Sequence, residues 1–243
     1  MKNIVIAAGY ATRLYPLTEN FPKPLLTIGS NTILGRLIDD IDAIPEITAH
    51  IIVSNHKFVN HFESWASKQA TRKPVYIIDD GTETNETRLG AVRDLLLAID
   101  RCDVKEDILV IAADNILDFS FTGFVDYFKE KGTSVIMCHE EPELRKLQRT
   151  GVIAVDADMK VLEMQEKPEH PVSHWAVPPF YIYRKEDLPL IKDCLNHGCG
   201  FDAPGNLAHY LCDITTIHAY PMPGKRFDIG SLDSYEEAKK RFG

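Results

Sequence analysis

No apolar run in this 243-residue chain approaches the ~20 residues that a membrane span requires. No basic segment followed by an apolar core opens it either, since Met1-Lys2 leads straight into a strand-like run; the expectation is a cytoplasmic protein without membrane attachment. Cysteine is scarce, and its five copies are odd in number and scattered, which suits a reducing compartment and no disulfide framework. Positive charge is also short: 27 Lys and Arg against 36 Asp and Glu leave a net charge of −9. That excludes a non-specific nucleic-acid binder, which needs a basic footprint to displace counterions. With 44% hydrophobic and 26% charged residues the chain is large enough to bury a sizeable core as one α/β domain.

The stretch least like scaffold is AAGYATRLYPLTENFPKPL, residues 7–25. The apolar run Ile4-Val5-Ile6 gives way to Ala7, Ala8 and Gly9. Small residues at a strand end let the following main chain approach a ligand closely. Arg13 and Lys23 then bring two cations, and Pro16, Pro22 and Pro24 stiffen the loop that carries them. A stiff loop with fixed cations suits a polyphosphate. The Walker P-loop is excluded, because no Gly-Lys-Ser/Thr opens a helix here.

Along the first half, strand and helix signals alternate. Residues 3–7, 49–54, 75–78 and 108–113 read as strands, the last continuously apolar as in a sheet covered on both faces. Residues 32–44, 59–69 and 89–99 carry apolar positions at helical spacing. This alternation predicts a doubly wound sheet with ligands at the carboxyl ends of its strands. Beyond it come a helix over 121–131, strands over 133–139, 151–155, 161–165 and 175–183, a helix starting with Asp202 as N-cap and Pro204 in its first turn, and a closing helix over 235–242. Ser54-Asn55-His56 ends a strand and reads as a helix cap, with a second reading as lining of the site.

The loop resembles the signature of the sugar-phosphate nucleotidyltransferases, G-x-G-T-R-L-x-P-L-T followed by P-K-P. It matches at Gly9, Thr12, Arg13, Leu14, Pro16, Leu17, Thr18, Pro22, Lys23 and Pro24. Ala11 departs from it, standing where the family usually has a second glycine. Leu89-Gly90-Ala91 is similar to the family's base-contacting step, Glu166-Lys167-Pro168 to its sugar-phosphate element, and Phe227-Asp228-Ile229-Gly230 to its closing metal-binding segment.

The resemblance implies a Rossmann-like mixed sheet in a three-layer α/β/α domain. Residues 1–115 would form a nucleotide-binding half, and 116–243 a sugar-phosphate-binding half with a closing helix. The implied activity is Mg²⁺-dependent formation of an NDP-sugar and pyrophosphate from a nucleoside triphosphate and a sugar 1-phosphate, by a monomer or small homo-oligomer. It places Ala7, Ala8, Gly9, Thr12, Arg13 and Gly90 on the nucleotide, Arg13, Lys23 and Lys167 on the reacting phosphates, Glu166 and Lys167 on the sugar phosphate, and Asp114 with Asp228 on Mg²⁺.

Cytidylyltransferases acting on phosphocholine share the loop. They would need an aromatic cage, for which Trp175, Phe180, Tyr181 and Tyr183 are the available residues. A non-catalytic regulatory subunit of the same fold would be expected to lack the cations or the metal ligands, and this chain has them all. Pro178-Pro179 replaces the alanine-glycine step of most relatives, so this wall of the acceptor pocket differs. Cys194, His197, Cys199, His209 and Cys212 match no closed zinc spacing and read as small buried residues with solvated histidines.

Overall fold

The computed structural model describes all residues, 1–243. In chain order the strands are β1 (Lys2–Ile6), β2 (Thr27–Ile28), β3 (Asn31–Thr32), β4 (Ala49–Ser54), β5 (Val75–Asp79), β6 (Ile108–Ala112), β7 (Asn115–Leu117), β8 (Ser134–Glu140), β9 (Gly151–Val155), β10 (Val161–Glu166), β11 (Trp175–Val177), β12 (Phe180–Tyr183), β13 (Ile217–Pro221) and β14 (Arg226–Asp228). The helices are α1 (Ile33–Asp42), α2 (Val59–Ala66), α3 (Ala91–Arg101), α4 (Thr122–Lys131), α5 (Leu144–Leu147), α6 (Leu190–Asn196), α7 (Gly205–Ile214) and α8 (Leu232–Phe242). None is long and apolar enough to cross a membrane.

Two compact units result. The first comprises Met1–Leu89, Ala112–Thr122 and Gly224–Gly243, and the second Gly90–Ile111 and Gly123–Pro223. They interleave in sequence, whereas the sequence reading divides the chain once, at residue 115.

In the first unit β1, β4 and β5 run parallel in the order β1-β4-β5. Every residue of β4 is buried, as a strand covered on both faces should be. Parallel pairing brings the carboxyl ends at Ile6, Ser54 and Asp79 to one edge, so the loops that follow them all emerge there. Helix α1 starts where Thr32 accepts the Gly35 N–H and buries the stripe Ile33, Leu34, Leu37, Ile38 and Ile41. Helix α8 starts at a reciprocal Ser231–Ser234 cap. It packs Tyr235 and Ala238 into a cluster with Leu14, Leu26, Ile28, Ile33, Ile116 and Ile229.

In the second unit the order is β6-β12-β8-β11-β9-β10, with antiparallel neighbours, and β13 pairs in parallel with β8. The fold class is the expected α/β one with a mixed sheet. Three expectations about elements fail. The run 175–183 is two strands, because Pro178 and Pro179 cannot donate ladder hydrogen bonds; β11 pairs with β8 and β9, and β12 with β6 and β8. Asp202 is not the cap of α7, which begins at Gly205 behind Pro204. Helix α3 begins at Ala91, since Gly90 at φ 88° cannot continue it.

Candidate active site

The first loop is fixed from several sides. The Ala7 N–H bonds Val53 O at 3.0 Å, so it belongs to the sheet and is not available to a ligand. Asn55, fully buried, donates from Nδ2 to Ala8 O at 2.9 Å and accepts the Phe58 N–H at 3.0 Å. It therefore caps the turn before α2 and tethers the first loop with the same amide. Main chain open to a ligand begins at the exposed Gly9, around which a Cβ would meet nothing within 4 Å. Tyr10 is buried with its hydroxyl 3.1 Å from Thr82 Oγ1. Ala11 sits in the left-handed region (φ 47°, ψ 42°) and opens a short 3-10 turn over Thr12–Leu14. Thr18 Oγ1 bonds its carbonyl at 2.8 Å. The conformation explains the glycine common at this position in the family pattern, since a Cβ there is strained.

That turn exposes Thr12 and Arg13 while Leu14 sinks into the cluster shared with Ile116 and Ile229. One apolar cluster thus anchors the neighbours of Arg13, Asp114 and Asp228. The two aspartates meet through the ladder of β7 and β14, in which Asn115 pairs with Asp228 and Ile116 with Phe227. The Ile229 N–H extends it to Asp114 O at 3.0 Å. Asn115 holds the register from both ends, donating to Asp114 Oδ1 at 2.8 Å and accepting from Arg226 Nη1 at 2.9 Å.

Lys23 Nζ donates to Asp114 Oδ2 at 2.8 Å and to Ile229 O at 3.0 Å, with only 12% of its side chain exposed. Burial, and then the charge of Asp114, push the Asp228 carboxyl above its ordinary value, with Lys23, Arg226 and Arg13 pulling it back. Gly230 borders both Asp228 and Arg13: a Cβ on it would lie 3.6 Å from Asp228 Oδ2 and 4.0 Å from Arg13 Nη2. The structure therefore brings Arg13, Lys23, Asp114 and Asp228 together.

Glu166, Lys167 and Gly90 belong to the second unit. Lys167 stands at φ 51° at the end of β10, its N–H on Thr150 O at 3.1 Å and its Nζ 3.9 Å from Glu166 Oε1. A left-handed lysine directs an exposed ammonium away from the strand it ends, a strained placement of the kind found at functional sites. Burial pushes Glu166 up, with Lys167 and His209 pulling it back. Gly90 lies against the main chain of Phe201, whose carbonyl would be 2.5 Å from a Cβ on Gly90.

The aromatic residues do not form a cage. Phe180, Tyr181 and Tyr183 are buried, and alternation along β12 sends Phe180 to the face opposite the stacked pair Tyr181 and Tyr183. Cys194 is bonded to Cys199, which removes both from any ligand set, and burial pushes the Cys212 thiol up to about 12. No three His, Cys, Asp or Glu side chains converge anywhere to hold a metal. The Asp114–Asp228 pair nonetheless fits Mg²⁺, which takes oxygen ligands and is commonly held by one or two carboxylates with phosphates and waters completing the shell. A carboxyl carrying a repulsive neighbour is relieved by such a cation.

The family model for nucleotidyl transferases matches residues 2–242. A glucose-1-phosphate adenylyltransferase of Fervidobacterium nodosum is 26% identical over 98% of this chain, which spans 60% of that protein's length. The UTP–glucose-1-phosphate uridylyltransferase AglF of Haloferax volcanii is 26% identical over 99% of this chain and 96% of its own. Among solved structures, a UDP-glucose pyrophosphorylase complexed with UDP-glucose superposes with a TM-score of 0.82 at 21% identity, covering 99% of this chain and 97% of that one.

Proposed function

The chain belongs to the nucleotidyl transferase family, and from that premise and the cluster around Asp228 we propose that it forms an NDP-sugar and pyrophosphate from a nucleoside triphosphate and a sugar 1-phosphate, with Mg²⁺. The observation that carries the reading is Asp228 held close enough to Asp114 to have its carboxyl pushed up, with Lys23 bonded to one and Arg13 near the other.

An oxygen of the acceptor phosphate attacks the α-phosphorus in line, and the bond to the β-phosphate breaks as pyrophosphate leaves. The acceptor oxygen is already anionic near neutral pH, so no general base is needed. What the reaction does need is two anions held together and charge on the leaving group neutralised. Arg13 serves the β- and γ-phosphates, Lys23 the α-phosphate and acceptor, and Lys167 the acceptor phosphate, while Glu166 takes sugar hydroxyls. The open main chain at Gly9 and the turn at the buried Gly90 contact the nucleotide. Asp114 and Asp228 would hold Mg²⁺, which when bound neutralises phosphate charge and orients the two substrates.

The test is pyrophosphate release over four triphosphates and a panel of sugar 1-phosphates, with phosphocholine as a control. Arg13→Ala and Lys23→Ala should each lower turnover by about 10²–10³-fold. Lys167→Ala should raise the KM for the sugar phosphate far more than that for the triphosphate. Release with no sugar phosphate of the panel, or near-normal turnover in the Arg13 and Lys23 variants, would overturn the reading. The two cations differ in stability. Arg13 is exposed and its loss should leave the melting temperature in place, whereas Lys23→Ala strips Asp114 of its ammonium and should cost about 1–3 kcal/mol, recovered on adding Mg²⁺.

A further inference from the structure

Between α6 and α7 the chain runs His197-Gly198-Cys199-Gly200-Phe201-Asp202-Ala203-Pro204. This segment has contacts of consequence at both ends. Phe201 O accepts the Val92 N–H at 3.0 Å and Asp202 O the Ala91 N–H at 3.2 Å. These are amides of the first turn of α3, which has no side-chain cap because Gly90 is its N-cap residue. The two carbonyls therefore do the work of the missing cap. The Arg93 guanidinium lies 3.8 Å from the centre of the Phe201 ring and adds a second attachment. At the far end is Gly205, where a Cβ would come within 2.0 Å of Glu166 Oε2. The Glu166 carboxylate occupies the space that this glycine leaves. One segment thus caps the helix beside Gly90 and seats Glu166.

The other ties at the near end are short-range: the Cys199 N–H bonds Cys194 O at 3.2 Å and the Gly198 N–H bonds Leu195 O at 3.2 Å. Gly198 (φ 71°) and Gly200 (φ 85°) bracket Cys199 with unrestricted backbone, and a Cβ on Gly198 would touch nothing within 4 Å. The covalent tie is the bond from Cys199 to Cys194, the latter fully buried in α6. Only five positions separate the two, so the bond closes a short loop and constrains the unfolded chain less than a long-range bridge would. Its effect is local, on the placement of 199–205. Cys199 is half-exposed, which offers one sulfur to an attacking thiolate while the other stays covered. Two of the remaining cysteines are poor competitors: burial pushes the thiols of Cys138 and Cys212 up to about 12.

We propose that Cys194–Cys199 is a thiol–disulfide exchange site, and that a dithiol reductant acting there releases segment 199–205 and so loosens the Gly90 turn and the Glu166 seat. The reductant's first thiolate attacks Cys199 Sγ, the bond to Cys194 Sγ breaks, and Cys194 leaves as a thiolate that takes a proton. The reductant's second thiol then displaces Cys199 from the mixed disulfide. Two electrons pass to the protein, which gains two thiols, and the dithiol becomes a disulfide. In a reducing compartment the open form accumulates; under oxidation the segment is latched. The effect on catalysis rests on the nucleotidyl-transfer reading, but the exchange and the opening do not.

The experiment compares the oxidised protein, the same protein treated with dithiothreitol, and Cys199→Ser. Thiols are counted after denaturation, and amide hydrogen exchange is followed in the native state. The oxidised protein should show three thiols, from Cys102, Cys138 and Cys212, and the reduced protein two more. Exchange at Ala91, Val92 and across 199–206 should rise by about tenfold or more on reduction, with β8 unchanged as an internal reference. Cys199→Ser should match the reduced protein, and chemical reduction alone decides the matter if that variant does not fold. Five thiols in the oxidised sample, or equal exchange at Ala91 and Val92 in both states, overturns the proposal. KM values for triphosphate and sugar phosphate, measured in parallel, should both rise on reduction. Altered exchange in a protein that transfers no nucleotide would leave the latch standing and sink the functional reading alone.

Discussion

Asn55→Ala is the change whose cost can be worked most directly from the structure. The side chain is fully buried and satisfies two groups that water cannot reach, the carbonyl of Ala8 and the N–H of Phe58, at 2.9 and 3.0 Å. Removing the amide leaves both unpaired, each costing about 1–3 kcal/mol, for a total of roughly 2–6 kcal/mol. In a chain of this size that is a fall in Tm of roughly 4–24 °C. Urea unfolding followed by circular dichroism measures it, the midpoint moving while the slope stays constant. Asn55→Asp separates the two bonds. A carboxylate still accepts from Phe58 but sets a charged oxygen against Ala8 O, so its folded pKa should be raised. A raised acid makes the native state the stronger proton binder, and stability falls as pH rises from about 4 through the folded value. The variant should therefore be closer to wild type near pH 4 than at pH 8, because the protonated acid can donate to Ala8 O as the amide does. A loss below about 0.5 kcal/mol for Asn55→Ala, or an Asn55→Asp defect indifferent to pH, would refute the reasoning. The same variant loosens the loop that carries Gly9, and the KM for the triphosphate should rise with it.

Ala11→Gly should stabilise the protein. The left-handed backbone costs an alanine about 1–2 kcal/mol, of which the glycine returns about 0.5–1 through its freer unfolded chain, leaving a gain of roughly 0.5–1 kcal/mol that a thermal melt would register; a lower Tm would show that Ala11 is not strained. Asp228→Asn removes an acid that burial and Asp114 push up. In metal-free wild type that acid makes stability decline as pH rises above about 4, and the variant should lack the decline and be the more stable protein at pH 8. Mg²⁺ should raise the Tm of wild type and leave that of Asp228→Asn nearly unmoved; equal stabilisation of both would remove Asp228 from the metal.

What could be read in advance follows the range of the interactions. Strands β4 and β9 have the bounds their apolar patterns predict, because local alternation decides them. The 175–183 run reads as one strand because its apolar and aromatic composition masks two prolines that stop a ladder. β13, Ile-His-Ala-Tyr-Pro, carries too little periodicity to be seen without its partner β8. Asp114 stands out locally as a carboxylate leaving the apolar strand 108–113, and Asp228 only through the family pattern; that the two meet has no local signal, as a ladder between residues this far apart leaves no trace. Asn55 was legible as a cap, but its second bond, to Ala8, depends on β1 lying beside β4. The Cys194–Cys199 bond had no signal at all, since five positions apart in an acidic chain fits equally a pair of buried thiols.

The ladder of β7 and β14 also bears on how the protein comes into being. A ribosome delivers Arg13, Lys23 and Asp114 in the first half of the chain, yet Asp228 arrives with the final strand, and Ile229, Tyr235 and Ala238 complete the apolar cluster under Leu14 and Ile116. Until then Lys23 has Asp114 to donate to but not the Ile229 carbonyl, and Leu14 and Ile116 lack part of their packing. The loop that carries Arg13 and Lys23 therefore takes its full packing only once a segment 206 positions further along the chain has joined it.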